Sequence, residues 1–304
     1  MSRGGQPARR RREKPLAAVN GVIDLRLPAR QTAPLIFASP HSGTDYDPAF
    51  IESSRLDERN LRRSEDSFVD EIFSGAPEKG APLLCALYPR AYLDPNREPY
   101  ELDPEMFSEP LPSHVKTRSD RVRAGFGTIA KLVASGAEIY AGKMSFAEAE
   151  RRIETLYRPY HRALEGLIEA TRHDFGAAFV LDCHSMPSVG GPTDRDRGTP
   201  RPDIVLGDRF GASCEPKMIE TAEQILRDLG FSIRRNEPYA GAYTTAHYGR
   251  PHERVHALQI EVNRRLYMNE ATVARSRDLP GLQKKMNSFI ATLAKESLVL
   301  VEAL

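Results

Sequence analysis

The sequence predicts an α/β fold in which a mixed central β-sheet is flanked by helices within a single domain. Apolar, strand-like runs alternate with helix-like segments along most of the chain. The run at residues 177–185, AAFVLDCHS, is apolar without alternation, which is typical of a strand buried on both faces of a sheet. Three such runs end in polar clusters, and open α/β sheets bind ligands beyond the carboxyl ends of their strands.

The same patterns predict the individual elements. The predicted strands cover residues 34–40, 82–94, 177–185, 203–208 and 255–268. The predicted helices cover residues 61–76, 145–172, 211–230 and the C-terminal segment, with a kink or boundary at Pro159. Two segments rich in Gly with Pro or Tyr, at 188–203 and 236–251, are predicted to be loops.

With 304 residues, the chain has the length of one large domain. We predict a disordered basic tail at residues 1–17 and a single α/β domain at residues 18–304. No apolar run has the length of a signal-peptide core or a membrane span. The three cysteines also lack the spacing of a disulfide framework or a thiolate metal site. We therefore expect a cytoplasmic protein without a membrane partner.

The basic tail contains four consecutive arginines, Arg9 to Arg12, which could bind nucleic acid by releasing counterions from phosphate. The first 14 residues carry a net charge of +5, so the remainder carries −4 of the formal total of +1. Because the run is short and the rest of the chain is acidic, a solvated tail is favoured. Nucleic acid is not expected as a partner, and a homo-oligomer is left open.

Two histidines stand at the ends of predicted strands, where they could bind a metal ion. His41 lies in the turn-forming sequence SPHSG, and His184 leaves its strand two residues after Asp182. A catalytic zinc takes three protein ligands and keeps one open position. We select Asp66 as the third ligand, with Glu65 as the reserve; a solvated acidic face is the structural alternative. We expect one Zn²⁺ ion as cofactor, with other divalent metals left open.

Glu261 lies between Ile260 and Val262 in a strand that is predicted to be buried. A buried carboxylate needs a partner or a function. Near a metal ion, Glu261 could take a proton from the attacking water and later protonate the leaving amine. A salt bridge to Arg264 or Arg265 is the structural alternative, and Arg264 is also a candidate substrate-binding residue.

The segment 89–107 is dense in Arg, Asn, Asp and Pro. We select Arg90, Asn96 and Arg97 as candidates for binding an anionic substrate, because Arg binds carboxylates through two parallel hydrogen bonds. An ion network between Asp94 and Arg97 in a rigid loop is the structural alternative.

Five motifs occur once each along the chain, in this order: PHSG at 40–43, LDPNREPYELDP at 93–104, LDCHSMPS at 181–188, PYAGAYTTAHYGRP at 238–251 and LQIEVNRRLYM at 258–268. Together they resemble the N-formylglutamate amidohydrolases. The resemblance implies a zinc-carboxypeptidase-like (phosphorylase/hydrolase-like) fold and hydrolysis of N-formyl-L-glutamate to formate and the amino acid. It also implies metal-binding roles for His41 and His184, a general-base role for Glu261, and substrate-carboxylate binding by Asn96 with Arg97.

The Gly/Tyr-rich segment at 236–251 could cover this site, with Tyr243 and Thr244 as further substrate-binding candidates; an ordinary surface loop is the alternative. Two other functions fit the same fold. One is a deacylase or carboxypeptidase acting on other N-acyl amino acids or small peptides, and the other is a non-catalytic amino-acid-binding protein. The two histidines and Glu261 favour an enzyme. We therefore predict a metal-dependent amidohydrolase that acts on a small N-acyl acidic amino acid.

Overall fold

The computed structural model describes residues 21–133, 135–191 and 194–303, so the predicted basic tail at residues 1–17 lies outside the described residues. The strands in this part of the chain are β1 Ile23–Arg26, β2 Leu35–Ser39, β3 Leu83–Ala86, β4 Ala178–Met186, β5 Ile204–Gly207, β6 Ile233–Arg235, β7 Val255–Asn263, β8 Met268–Asn269 and β9 Ala274–Arg275. The α-helices there are α1 Pro48–Ser53, α2 Glu58–Leu61, α3 Val69–Ile72, α4 Asp120–Arg123, α5 Phe146–Arg152, α6 Arg158–Phe175, α7 Pro216–Asp228, α8 Tyr243–Tyr248 and α9 Leu279–Ala303.

A mixed sheet forms the centre of the fold, with the strand order β1-β3-β2-β4-β7-β5-β6. The strands β3, β2, β4 and β7 run parallel to one another. β1 is antiparallel to β3, and β5 is antiparallel to β7. With helices packed on it, this sheet confirms the predicted α/β fold class. Because the central strands share one direction, the carboxyl ends of β2, β4 and β7 lie at the same edge of the sheet.

Both faces of the sheet are covered by helices, which explains why its central strands are continuous apolar runs. Leu181 and Cys183 of β4 pack in one apolar cluster with residues of α7 and α9. Val180 packs on the opposite face with residues of α6. Because side chains alternate along a strand, Asp182 and His184 point to the α6 side of the sheet.

The long helix predicted at 145–172 is present, with a change of helix type near Pro159. A π-helical turn at Ile153–Tyr157 joins α5 to α6, and Pro159 lies in the first turn of α6. Proline cannot donate the α-helical hydrogen bond, and the wider π turn accommodates its ring at this point. The predicted boundary at Pro159 is therefore confirmed.

The helix predicted at 61–76 is wrong as one continuous element, because residues 65–68 between α2 and α3 are not helical. The backbone N–H of Asp66 donates to the carbonyl oxygen of His41 at 3.0 Å, a tertiary bond that replaces a helical one. Phe68 has a left-handed conformation, with φ of 68°, immediately before α3 begins. This interruption brings Asp66 to the edge of the sheet.

Other elements also differ from the prediction. The predicted loop at 236–251 contains the helix α8, whose Thr244 and Thr245 are buried. The strand predicted at 82–94 ends at Ala86. The edge strands β1 and β6, which are partly exposed, were not predicted. Within the described ranges, none of the helices combines the length and apolar character that a membrane span requires.

Candidate active site

His41 lies in a tight turn directly after β2. The hydroxyl of Ser39 donates to the hydroxyl of Ser42 at 2.8 Å across this turn. Any side chain at Gly43 would place a Cβ atom 2.3 Å from the carbonyl oxygen of Tyr88, so the turn requires glycine. The imidazole of His41 is buried and is presented at the carboxyl end of β2.

The strands β4 and β7 place four polar side chains next to one another. In their parallel register, His184 lies opposite Glu261 and Asp182 lies opposite Gln259. Alternation along each strand puts all four on the same face of the sheet, and all four are buried. The Gln259 amide donates to Glu261 Oε1 at 2.8 Å, which holds the carboxylate beside His184.

Asp66 is held by one carboxylate oxygen and directs the other towards the two histidines. Arg264 Nη2 donates to Asp66 Oδ1 at 3.2 Å, and the Ser185 hydroxyl donates to the same oxygen at 3.2 Å. The other oxygen, Oδ2, lies 3.1 Å from His41 Nδ1 and 3.0 Å from His184 Nδ1. Asp66 therefore joins the ends of β2 and β4 in one cluster.

The three side chains His41, Asp66 and His184 fit a bound metal ion. Their closest atoms are separated by 3.0 to 3.1 Å, including 3.1 Å between the two Nδ1 atoms. A tetrahedral zinc ion with ligands at about 2.05 Å has ligand-to-ligand distances of about 3.3 Å, close to this spacing. Two imidazoles and one carboxylate also match the donor types that zinc takes in catalytic sites.

The outer nitrogen of each histidine contacts a buried carboxylate. His41 Nε2 lies 2.7 Å from Asp94 Oδ1, and His184 Nε2 lies 2.9 Å from Asp182 Oδ2. Each carboxylate can accept a hydrogen bond from Nε2–H, which would leave both Nδ1 lone pairs for a metal ion; without an ion, the same Nδ1 atoms can donate to Asp66. Arg90 Nη2 donates to the second oxygen of Asp94 at 2.7 Å, which fixes that carboxylate in turn.

Hydrogen bonds and charges determine which of these carboxyl groups are ionised. Burial opposes ionisation of Asp66, but hydrogen bonds from His184 and His41 hold its pKa well below the ordinary value. Burial acts in the same way on Asp94, whose pKa is nevertheless held well below its ordinary value by the Arg90 guanidinium. Burial raises the pKa of Glu261 to about 7, so this group can accept and release a proton near neutral pH.

The cluster opens into a cavity of about 400 Å³. Four arginines line it: Arg90, Arg97, Arg121 and Arg264. A cavity of this size takes a small molecule, and its guanidinium groups favour an anionic one.

Most of the predicted site residues lie in this cavity. The lining includes His41, Asp66, Arg90, Asn96, Arg97, His184, Glu261 and Arg264. The predicted loop contributes Pro238 to Ala242 to the described lining, whereas Tyr243 and Thr244 are not part of it. The Tyr243 ring instead stacks on His247, and the backbone N–H of Thr244 donates to Asn96 Oδ1 at 2.7 Å.

Glu65, the reserve choice for the third ligand, belongs to a separate hydrogen-bond network. It accepts from the Tyr46 hydroxyl at 2.9 Å, from Arg62 at 3.1 Å and from the Ser67 hydroxyl at 2.6 Å. These partners occupy its carboxylate oxygens, and Glu65 is absent from the described cavity lining. The geometry thus favours Asp66 over Glu65 as a ligand.

The side chain of Asn96 lines the cavity, but its polar atoms form hydrogen bonds with other residues of the protein. Its amide nitrogen donates to Asp182 Oδ2 at 2.9 Å, while its amide oxygen accepts from Thr244. Asn96 thereby fixes the carboxylate that holds His184 and ties the loop after β3 to α8. Arg264 has a similar local role, since it donates to Asp66 and to Ser185.

Three contributions to the site were not predicted from the sequence. Asp94 had been assigned only to an ion network, although it contacts His41. Gln259 lies two residues before Glu261, and residues two apart in a strand lie on the same face, so the sequence carries a signal that places Gln259 beside Glu261. Arg121 lies in a segment without periodicity, and no sequence signal indicates that it reaches the cavity.

A mixed α/β sheet with a His-Asp-His cluster and a buried glutamate at its strand ends has the composition of a hydrolase active site. The model of the family described as N-formylglutamate amidohydrolase matches residues 33–268, which is most of the chain. The chain belongs to the N-formylglutamate amidohydrolase family and is an enzyme that hydrolyses an amide bond.

Individual relatives agree with this membership. The chain is 30% identical over 244 residues to the N-formylglutamate deformylase of Pseudomonas aeruginosa, an alignment that covers 79% of this chain and 84% of the relative. It is 28% identical over 240 residues to the enzyme of the same name from Pseudomonas putida, covering 78% and 82% of the two chains.

The fold is shared with solved structures. The crystal structure of N-formylglutamate amidohydrolase from Ralstonia eutropha JMP134 superposes with a TM-score of 0.83 at 37% identity, covering 91% of this chain and 98% of that one. A gene product of Agrobacterium tumefaciens, at 18% identity, shares the fold with a TM-score of 0.66 over 93% of this chain and 97% of that one.

Proposed function

We propose that this protein hydrolyses N-formyl-L-glutamate to formate and L-glutamate, using one divalent metal ion, zinc, held by His41, Asp66 and His184. The observation that carries the proposal is the convergence of these three ligand atoms beside Glu261, inside a cavity lined with arginines. The names of the Pseudomonas and Ralstonia relatives support the substrate.

A divalent ion in this cluster supplies Lewis acidity, which polarises a carbonyl group and lowers the pKa of water. The protein prepares the cluster for a cation by fixing the protonation of its ligands. Asp94 and Asp182 hold the Nε2 hydrogens of the two histidines, and Asp66 is ionised. The two buried carboxylates behind the histidines also add negative charge that favours a cation.

Glu261 is the proton carrier of the proposed reaction. It removes a proton from the attacking water as the new C–O bond forms at the formyl carbon. It then delivers that proton to the amide nitrogen as the C–N bond breaks, which releases formate and the amino group of glutamate. Its pKa of about 7 suits both steps, and Gln259 keeps the carboxylate in place throughout.

The arginines of the cavity bind the negative charges of the substrate. Burial opposes the charge of Arg90, but the charges of Asp94, Asp66 and Glu261 raise its pKa, and it lines the cavity; Arg90 is therefore assigned to the charge that develops on the formyl oxygen. Arg97 Nε lies 3.7 Å from Asp94, the carboxylate that contacts His41. Arg97 is therefore assigned to the carboxylate nearer the reacting amide.

A substrate panel tests the proposal. Formate or acid release would be measured for N-formyl-, N-acetyl- and N-succinyl-L-glutamate and for a C-terminal glutamate dipeptide, with equal protein and added zinc. The proposal expects kcat/KM for the formyl substrate to exceed the others by at least about tenfold. Equal or faster turnover of the acetyl, succinyl or peptide substrate would assign the enzyme to the broader deacylases or peptidases.

A binding measurement on the same panel separates catalysis from simple recognition. Metal-replete protein that binds N-formyl-L-glutamate but releases no formate would contradict the catalytic role and favour the binding-protein alternative.

A further inference from the structure

Arg121 is a cavity cation without an assigned role. It lies in the short helix α4 and lines the same cavity as the His-Asp-His cluster. Its side chain makes no hydrogen bond or ion pair with any residue in the ranges 21–133, 135–191 and 194–303. Arg90 and Arg264, by contrast, are engaged by Asp94 and Asp66 respectively. A guanidinium group of this kind is available to an anionic ligand.

Arg121 and Arg97 are positioned by the same residue. The backbone N–H of Phe126 donates to the carbonyl oxygen of Arg121 at 2.8 Å, and the carbonyl oxygen of Phe126 accepts from Arg97 Nε at 3.1 Å. A second bond, from Arg97 Nη1 to the carbonyl oxygen of Asn96 at 2.8 Å, leaves Nη2 for a ligand. Two guanidinium groups, one from α4 and one from the loop after β3, thus line the same cavity.

The two guanidinium groups are close enough to interact. Burial lowers the pKa of Arg97 to about 10, and the positive charge of Arg121 contributes to the same shift. Arg97 therefore remains cationic at neutral pH. Two like charges in one cavity repel each other, and a ligand with two carboxylates relieves that repulsion.

The two arginines also lie at different depths in the site. Arg97 Nε lies 3.7 Å from Asp94 Oδ2, and the other oxygen of Asp94 contacts His41, so Arg97 belongs to the part next to the reacting centre. Arg121 is partly exposed, whereas Arg97 is buried. In N-formyl-L-glutamate, the α-carboxylate is close to the amide and the side-chain carboxylate is further away.

We propose that Arg121 is the specificity residue that binds the side-chain carboxylate of the substrate, while Arg97 binds the α-carboxylate. This inference rests on the proposed function, and it makes the enzyme selective for acidic N-formyl amino acids over neutral ones of equal size. N-formyl-L-glutamine is the appropriate comparison, because it has the same shape as N-formyl-L-glutamate without the second charge.

The test compares kcat/KM for N-formyl-L-glutamate and N-formyl-L-glutamine in the wild type, Arg121→Gln and Arg121→Lys. The wild type is expected to prefer the glutamate substrate, and Arg121→Gln is expected to lower that preference by about tenfold to a hundredfold, as expected for loss of a charge-assisted bond. Arg121→Lys, which keeps the charge, should retain part of the preference. Arg97→Gln should reduce kcat/KM for both substrates and change the preference less.

Arg123→Gln is the matched control, since Arg123 lies on the same helix, is exposed and pairs with Asp120. It removes the same formal charge outside the cavity and should leave the preference unchanged. If Arg123→Gln lowered the preference as much as Arg121→Gln, the effect would come from the net charge of the protein, and the assignment of Arg121 would be wrong. An unchanged preference in Arg121→Gln, or an equal loss for both substrates, would overturn the assignment.

Binding separates this inference from the proposed function. Dissociation constants of the same two compounds would be measured in Glu261→Gln and in Glu261→Gln with Arg121→Gln. If the wild type hydrolyses neither compound, the proposed function fails, yet a loss of the glutamate preference in binding would still support the role of Arg121. No preference in binding or in turnover would overturn that role.

Discussion

Asp94 Oδ1 lies 2.7 Å from His41 Nε2, and the other oxygen of the same carboxylate accepts from Arg90. The loop after β3 thereby orients a histidine that belongs to the end of β2. If the cluster binds a metal ion as proposed, its affinity should depend on Asp94, a residue that contacts His41 only at Nε2.

We predict that Asp94→Asn weakens metal binding by about tenfold to a hundredfold, because it removes the charge that holds His41 in the required tautomer. Competition with a chromogenic chelator would measure the affinity. Asp45→Asn, at an exposed position near the same turn, serves as control and should leave the affinity unchanged. Wild-type affinity in Asp94→Asn would show that Asp94 does not support His41.

The identity of the carboxylate ligand is tested by the pair Asp66→Ala and Glu65→Ala. Asp66→Ala should abolish stoichiometric metal binding, because it removes one of three ligands. Glu65→Ala should lower stability by breaking bonds from Tyr46 and Ser67, but it should retain the metal. Elemental analysis of the folded variants gives the metal content, and the reverse pattern would make Glu65 the ligand.

We predict that Glu261→Gln keeps the metal and loses turnover by about a hundredfold to ten-thousandfold, since general acid and base catalysis contributes on this scale. KM should change little, because glutamine preserves the size of the side chain. Glu237→Gln, in the loop between β6 and α8, is a control for the loss of one acidic charge outside the described cavity lining. Turnover near the wild-type level in Glu261→Gln would remove Glu261 from the mechanism.

His161 makes the stability of the fold depend on pH. Its Nε2 donates to the carbonyl oxygen of Pro95 at 2.9 Å, and its Nδ1 accepts from the Tyr248 hydroxyl at 2.7 Å. Burial lowers its pKa from 6.5 to about 4. The folded protein therefore keeps His161 neutral, whereas the unfolded chain takes up a proton below about pH 6.5.

The free energy of unfolding should accordingly fall as the pH is lowered from about 6.5 to about 4. Above pH 6.5, the contribution of His161 to this free energy should not change with pH. At 1.36 kcal/mol per pKa unit, His161 accounts for up to ~3 kcal/mol of the decrease. Denaturant titrations of the wild type, His161→Gln and the exposed control His173→Gln would measure it. The decrease should be smaller in His161→Gln alone; an identical decrease in all three would assign it to other groups.

The parts of the site that the sequence predicts are those carried by buried parallel strands. His184 and Glu261 lie at the ends of such strands, and the apolar runs that identify the strands also locate the residues that follow them. The sequence indicates Asp66 as the carboxylate ligand, but it also predicts a helix over residues 61–76, which contain Asp66. The tertiary bond from its N–H to His41 overrides the helical pattern of residues 61–76.

The parts that could not be predicted depend on contacts between distant loops. The helix α8, with the sequence YTTAHY, has Ala246 as its one strong helix former among six residues, and burial of Thr244 and Tyr248 stabilises it. Arg121, in α4, lines the cavity where the backbone of Phe126 bonds both to its carbonyl oxygen and to Arg97. No periodicity in the sequence records such a contact.

We propose that hydrolysis requires a metal ion held by His41, Asp66 and His184. The most direct measurement is the zinc content of the purified protein, with formate release from N-formyl-L-glutamate before chelation, after chelation and after zinc is restored. We predict one zinc ion per chain, loss of formate release on chelation and its recovery on reconstitution. Full activity in protein that has been shown to be metal-free would contradict the account.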